Sequence, residues 1–317
     1  MPERHCRGKE FSLKKSYKLQ SSVKSVISFI TATVLCLCLV QNTKAQYVPE
    51  EGQAVEETMI SEASISPRAA ERTVRVYVKG QSYGGRTLFL NSVTYVGFRE
   101  FSMYMGAAEV TWDSQSKTAR ASSDSLSVTS RNGDLYITAN GRYLWARSGV
   151  ILKGGTMYVP LRTIAKAFGA EVTWNPVEFA AYVSAPSTLE SGQSYYDSDS
   201  VYWLARIIHA ESAGEPLLGK VAVGTVVLNR VKSQMYPETI YGVIFDKKNG
   251  VQFTPSVNGA IYCTPSADSI IAAKLCLDGA SISERALFFV NEAIAESTWV
   301  SDNRPYLITV GNHKFYA

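Results

Sequence analysis

The chain has 317 residues, of which 46% are hydrophobic and 19% charged, enough apolar material for two cores and too ordinary a balance for wholesale disorder. Its net charge of +4 is concentrated at one end: the first 45 residues hold eight Lys/Arg against Glu3 and Glu10, so the remainder is slightly acidic. Without a basic stripe in that remainder there is no electrostatic case for nucleic acid, and no nucleic-acid partner is expected.

Arg4, Arg7, Lys9, Lys14, Lys15, Lys18 and Lys24 precede an uncharged apolar run from Val26 to Val40, followed by Thr43-Lys44-Ala45. This reads as a Sec signal peptide over 1–45. The apolar core falls short of the roughly 20 residues that span a bilayer, which favours cleavage after Ala45 over a retained anchor. The expected product is secreted, with no stable membrane insertion once the leader is removed. Residues 46–72, carrying Glu50, Glu51, Glu56, Glu57 and Glu62 among small polar residues, read as a flexible spacer.

From 73 to 185 short alternating segments are punctuated by Gly80, Gly84-Gly85, Asn132-Gly133, Asn140-Gly141 and Gly154-Gly155, the pattern of β-hairpins with glycine turns. An internal repeat is visible: TYVGFREFSMYMGAAEVTWD over 94–113 and MYVPLRTIAKAFGAEVTWN over 157–175. Each copy reads as a strand, a helix closed by glycine (Gly106, Gly169) and a strand ending in Trp112 or Trp174. Tyr95, Trp112, Tyr158 and Trp174 are assigned to the core in preference to sugar stacking. The motif resembles the copper amine oxidase N-terminal-like repeat, which implies a non-catalytic stalk or a module with possible wall binding. The region has no His or Cys, so no metal is assigned despite that name.

The Ser-rich stretch 186–199 reads as a linker, and over 200–317 the period shifts to 3.6. Leu204, Ile207, Ile208 and Glu211 share one helical stripe, on a helix expected to be capped by Ser198 or Asp199. A carboxyl on an apolar face is either paired, for instance to Arg230, or partly desolvated and able to hold a proton near neutral pH, as a glycosidase general acid must. Ala213-Gly214 and Glu215-Pro216 make a tight corner into a second, nearly all-apolar helix over 216–231, in which Gly219 and Gly224 permit close packing. Asn229, near its end, is a candidate for contact with Glu211 or a substrate acetamide. Cys263 and Cys276 are the cysteines outside the leader and can close a disulfide.

The strings ARIIHAESAGEPLLGKVAVGTVVLNRV (205–231), VQFTP (251–255) and GNHKFYA (311–317) resemble the cell-wall hydrolase family of the SleB and CwlJ spore-cortex lytic enzymes. The resemblance implies a mainly helical, goose-lysozyme-like catalytic domain with Glu211 as catalytic acid and with Gln252, Phe253 and Tyr316 lining the sugar groove beside Asn229. The overall expectation is therefore α+β: a pseudo-repeated β-hairpin/helix domain, then the helical one. It implies peptidoglycan glycan strands as the partner, a wall or spore-envelope location, and no cofactor. No second carboxylate stands at a motif position, which favours a lytic transglycosylase over a hydrolase, with Glu215, Glu238 and Asp246 as the carboxyls that can overturn this. Two rivals stand beside it: a non-catalytic wall-binding protein, and a Cys/His peptidase using Cys263 or Cys276 with His313.

Overall fold

The alternating segments of the N-terminal domain become β1 (Arg75–Val78), β2 (Gln81–Ser82), β3 (Thr87–Leu90) and β4 (Val93–Gly97), followed by helix α1 (Phe98–Tyr104). This is seen in a computed structural model, which describes residues 74–317 except Asn249 and Glu296; the expected leader and spacer lie outside the described residues. Five strands follow as an antiparallel meander: β5 (Glu109–Asp113), β6 (Thr118–Ser122), β7 (Ser127–Arg131), β8 (Tyr136–Ala139) and β9 (Arg142–Trp145). The β8–β9 hairpin turns on Asn140 (φ 48°) and Gly141 (φ 80°), the pair of left-handed residues that a two-residue hairpin turn requires. The domain closes with β10 (Ile151–Lys153), β11 (Thr156–Pro160), α2 (Leu161–Ala167), β12 (Val172–Asn175) and β13 (Ala180–Val183).

Both short helices stop in the same way. Gly106 (φ 100°) and Gly169 (φ 63°) follow their last turns, and the next amide reaches back, Ala107 N to Ser102 O and Ala170 N to Ala165 O, each at 2.9 Å. β4 pairs antiparallel with β11, so the strands that feed the two helices share one sheet, while β1 runs parallel to β13 in another. Phe98, Phe101, Val128, Ile137, Leu144, Val159 and Ile164 form the core between them. Tyr95 belongs to the buried set as expected, but Trp112 is 43% exposed, which corrects its core assignment: it faces outward on β5.

The C-terminal domain begins with the single turn α3 (Gly192–Tyr195) and the long helices α4 (Ser198–Ser212) and α5 (Leu217–Lys232). Asp197 caps α4, accepting from Ser200 N at 2.8 Å; its carboxylate lies outside the helix where Ser198 and Asp199 are already inside it. Helices α6 (Ile240–Phe245), α7 (Pro255–Asn258) and α8 (Ala267–Leu277) complete the bundle. The chain then forms β14 (Phe288–Val290), α9 (Trp299–Asn303), β15 (Tyr306–Val310) and β16 (His313–Tyr316), a three-stranded sheet in the order β14-β16-β15.

Helix α5 is central. Val221, Val223 and Val227 pack with α4 and α8, while Ala222 and Val226 meet Ile282, Ala286 and Phe315 on its other side. A Cβ on Gly224 would meet Cys276 Sγ at 2.7 Å and Ile208 Cδ1 at 2.9 Å, so only glycine lets the three helices approach this closely. Cys276 is a buried free thiol at that crossing, which corrects the expected bridge to Cys263.

The 186–199 segment is docked at the seam between the domains. Gly192 N donates to Asn140 O (2.8 Å), and the Tyr196 hydroxyl accepts from Tyr143 N (2.9 Å). Asp278, just past α8, accepts both arms of Arg142 on β9 (2.8 and 3.0 Å) and also the ammonium of Lys166 on α2. The Arg142 guanidinium lies 3.5 Å from the centre of the Tyr195 ring. Both domains accordingly fall within one compact unit. Among the described residues no helix is long and apolar enough to cross a membrane.

Candidate active site

Leu204, Ile207 and Ile208 are completely buried, and the same stripe of α4 brings Glu211, one turn further, into the wall of a groove of about 740 Å³. The groove is also lined by Arg230 from α5, by Met235, Tyr236 and Asp246 around α6, by the 251–254 segment, by Phe288 and Phe289 of β14, and by Trp299, Val300 and Arg304 around α9. Separate stretches of chain thus build one cleft around a single helix end.

Among the described residues the Glu211 carboxyl has neither a hydrogen-bond partner nor an ion pair. Burial pushes it up from its ordinary 4.5 to about 7, against the opposing pull of the Arg230 charge. Arg230 donates to Leu287 O at 2.8 Å and reaches Gln252 Oε1 at 3.4 Å, and its guanidinium sits 5.0 to 5.6 Å from the ring centres of Tyr236, Phe253 and Phe288. Burial pulls its own affinity for a proton down. Also in the lining, the Arg304 guanidinium lies 4.5 Å from the Phe288 ring centre and 5.2 Å from that of Trp299.

The candidates named from sequence separate into two sets. Gln252 and Phe253 line the groove with Glu211, although Phe253 is almost wholly buried and contributes wall more than surface. Asn229 and Tyr316 lie outside that lining. The Asn229 amide donates to the carbonyls of Ser283 and Ala286, each at 2.9 Å, and the Tyr316 hydroxyl donates to Glu292 at 2.8 Å on the sheet. Each polar group is already held by a neighbour.

Of the spare carboxyls, Glu215 is buried and accepts from Asn312 N (3.3 Å) and Asn312 Nδ2 (2.8 Å), fastening the β15–β16 turn to the helix corner. Glu238 is exposed and outside the lining, whereas Asp246 lies in the groove. Trp299, Arg304 and Phe288 were missed by sequence reasoning, since no motif ties them to Glu211 and only the folded chain brings them there. Cys276 is not placed to serve the Cys/His arrangement: burial pushes its thiol up to about 12, and its sulfur faces Val221 O at 3.5 Å.

Residues 214–316 match the family model for cell wall hydrolases, and residues 77–182 match that for the copper amine oxidase N-terminal domain. Glu211 stands three positions before the first of these matches begins. A spore cortex-lytic enzyme of Bacillus cereus is 37% identical over 120 residues, covering 38% of this chain and 45% of the relative. That of Bacillus subtilis is 33% identical over 120 residues, covering 38% of each. The matches therefore span less than half of these curated relatives. The solved catalytic domain of the germination-specific lytic transglycosylase SleB from Bacillus anthracis is 35% identical, with 41% of this chain and all of that chain covered, at a TM-score of 0.36.

Proposed function

From a C-terminal cell wall hydrolase domain preceded by a copper amine oxidase N-terminal-like domain, we propose that this chain cleaves peptidoglycan glycan strands as a lytic transglycosylase, with Glu211 as its acid and base. The observation that carries this is the Glu211 carboxyl itself: half-buried in a groove wall, without a partner among the described residues, and pushed up to about 7. Held protonated near neutrality, it donates to the glycosidic oxygen between N-acetylmuramic acid and N-acetylglucosamine. As carboxylate it then takes the proton of the muramyl 6-hydroxyl as that oxygen closes on its own anomeric carbon, leaving a 1,6-anhydromuramyl end. Gln252 and Phe253 serve as groove contacts for the sugars.

The finer reading of the fold belongs to the same proposal. The α4–α5–α8 packing around the acid supports a goose-lysozyme-like frame over 200–317. The matched strand–helix–glycine–strand units over 73–185 support a pseudo-twofold module, joined through 186–199. The curated relatives are named as spore cortex-lytic enzymes, which supports the spore cortex as substrate and an envelope location.

Digestion of purified spore-cortex and vegetative peptidoglycan, with products resolved by mass spectrometry, tests the proposal. Anhydromuramyl products from the wild type and an about 10²–10⁴-fold loss in Glu211→Gln are expected. Reducing muramyl ends instead would overturn the transglycosylase step and point to Asp246 as a second carboxyl in the groove.

A further inference from the structure

A second cleft lies wholly within the β-rich domain, remote in sequence from the first. It has a volume of about 560 Å³ and is walled by Phe89, Trp145 and Trp174, with Arg147 and Arg162 at its rim. That volume is within the roughly 300–1,000 Å³ of small-ligand sites and suits a few sugar rings. No carboxylate belongs to its lining, in contrast to the groove that holds Glu211 and Asp246.

Three observations separate this cleft from an ordinary gap between sheets. Phe89 is 39% exposed at its mouth although it sits on a strand of the core domain. Its ring stands edge-on to Phe179 at 5.4 Å, and Phe179 stands edge-on to Trp174 at 5.2 Å, so Phe179, itself outside the lining, joins the two wall rings into one aromatic panel. The rim adds charge of one sign. Arg147 is exposed with no partner among the described residues, and Arg162 spends one arm on Val172 O (2.6 Å) while the rest of its fork stays open.

Aromatic faces take the apolar C–H faces of sugar rings, and a guanidinium fork takes a carboxylate. We infer that this cleft is a second glycan-binding site, separate from the catalytic groove, that takes a peptidoglycan strand by its sugar faces and its muramyl-linked carboxylates. The inference rests on the proposed substrate, and it assigns to the β-rich domain the task of holding the polymer.

The test uses the full mature chain carrying Glu211→Gln, so that the polymer is bound and not cut, and measures co-sedimentation with insoluble peptidoglycan. Adding Arg147→Ser and Arg162→Ser, both on exposed side chains, is expected to weaken the apparent Kd about tenfold. Peptidoglycan whose carboxylates have been amidated is expected to bind the unaltered cleft equally weakly. Phe89→Ser is expected to weaken binding to native and amidated polymer alike. In the Glu211 wild type, the paired Arg substitutions are expected to leave cleavage of a short soluble glycan fragment unchanged. An unaltered Kd in the paired Arg variant overturns the inference while leaving the proposed cleavage standing. If wild type cuts nothing yet the Kd shifts as expected, the proposed catalysis fails and the binding site stands.

Discussion

The seam between the domains and the groove at the end of α4 both bury charge, and they treat it in opposite ways. At the seam, Asp278 has its acceptor sites filled by Arg142, Lys166 and the Tyr196 hydroxyl. In the groove, Glu211 and Arg230 lie in one cleft without forming an ion pair, and Glu211 has no hydrogen-bond donor among the described residues. Four residues beyond Glu211, Glu215 returns to the pattern of the seam, held by Asn312. Saturated charge fixes a structure, whereas unsaturated charge keeps a proton or a substrate contact available.

That contrast can be broken at the seam. Asp278→Ala leaves Arg142 as a buried cation with its partner gone, and an about 3–5 kcal/mol loss of stability is expected by denaturant titration. Replacing both residues by Leu is expected to recover most of the loss. A cost no larger for Asp278→Ala than for the double replacement would mean that the bridge contributes little.

The groove makes a pH-dependent prediction of similar size. The native chain holds the Glu211 proton up to about pH 7, whereas the unfolded chain releases it near 4.5. Between those values the native state binds more protons, so this group's contribution is whole below about 4.5 and falls by about 3 kcal/mol as pH rises through 7. His209 and His313 are both pulled down by burial and act in the other direction, favouring the fold as pH rises. The measurement is therefore the difference between wild type and Glu211→Gln across pH 4 to 8, in which the histidine contributions cancel. A flat difference would mean that Glu211 is ionised and solvated. Cleavage should decline as pH climbs past about 7, because the proton to be donated is lost.

The smallest expected effect is at the start of α4. Asp197→Ala removes the acceptor for Ser200 N and is expected to lower the denaturation midpoint slightly, with product identity unchanged, because the cap lies at the far end of the helix from Glu211. A change in products would mean that helix registry, more than the groove, sets the chemistry.

Much of this arrangement was legible in the chain because it is local. The i, i+3, i+4, i+7 stripe of Leu204, Ile207, Ile208 and Glu211 depends only on the pitch of a helix, and the two glycine-terminated repeats depend only on their own turns. What could not be read depends on long-range closure. Arg142 and Asp278 are 136 positions apart, and nothing in either neighbourhood announces the other. Trp299 and Arg304 meet Glu211 only because β14 and β15 wrap beside α5. Asn229 and Tyr316 carried the residue types of a binding site, but burial gave their polar groups to Ser283, Ala286 and Glu292 first.

The Asp278 junction has a further consequence for the proposed action on an insoluble polymer. When two sites are joined by a loose tether, the chance that one strand reaches both is set by tether length and falls as the tether grows. Here Gly192 and Tyr196 tie the connecting segment down, and Arg142 and Lys166 clamp the far end of α8. The separation between the aromatic panel and Glu211 then becomes a fixed ruler, and the effective concentration of polymer at the acid is set by strand geometry alone.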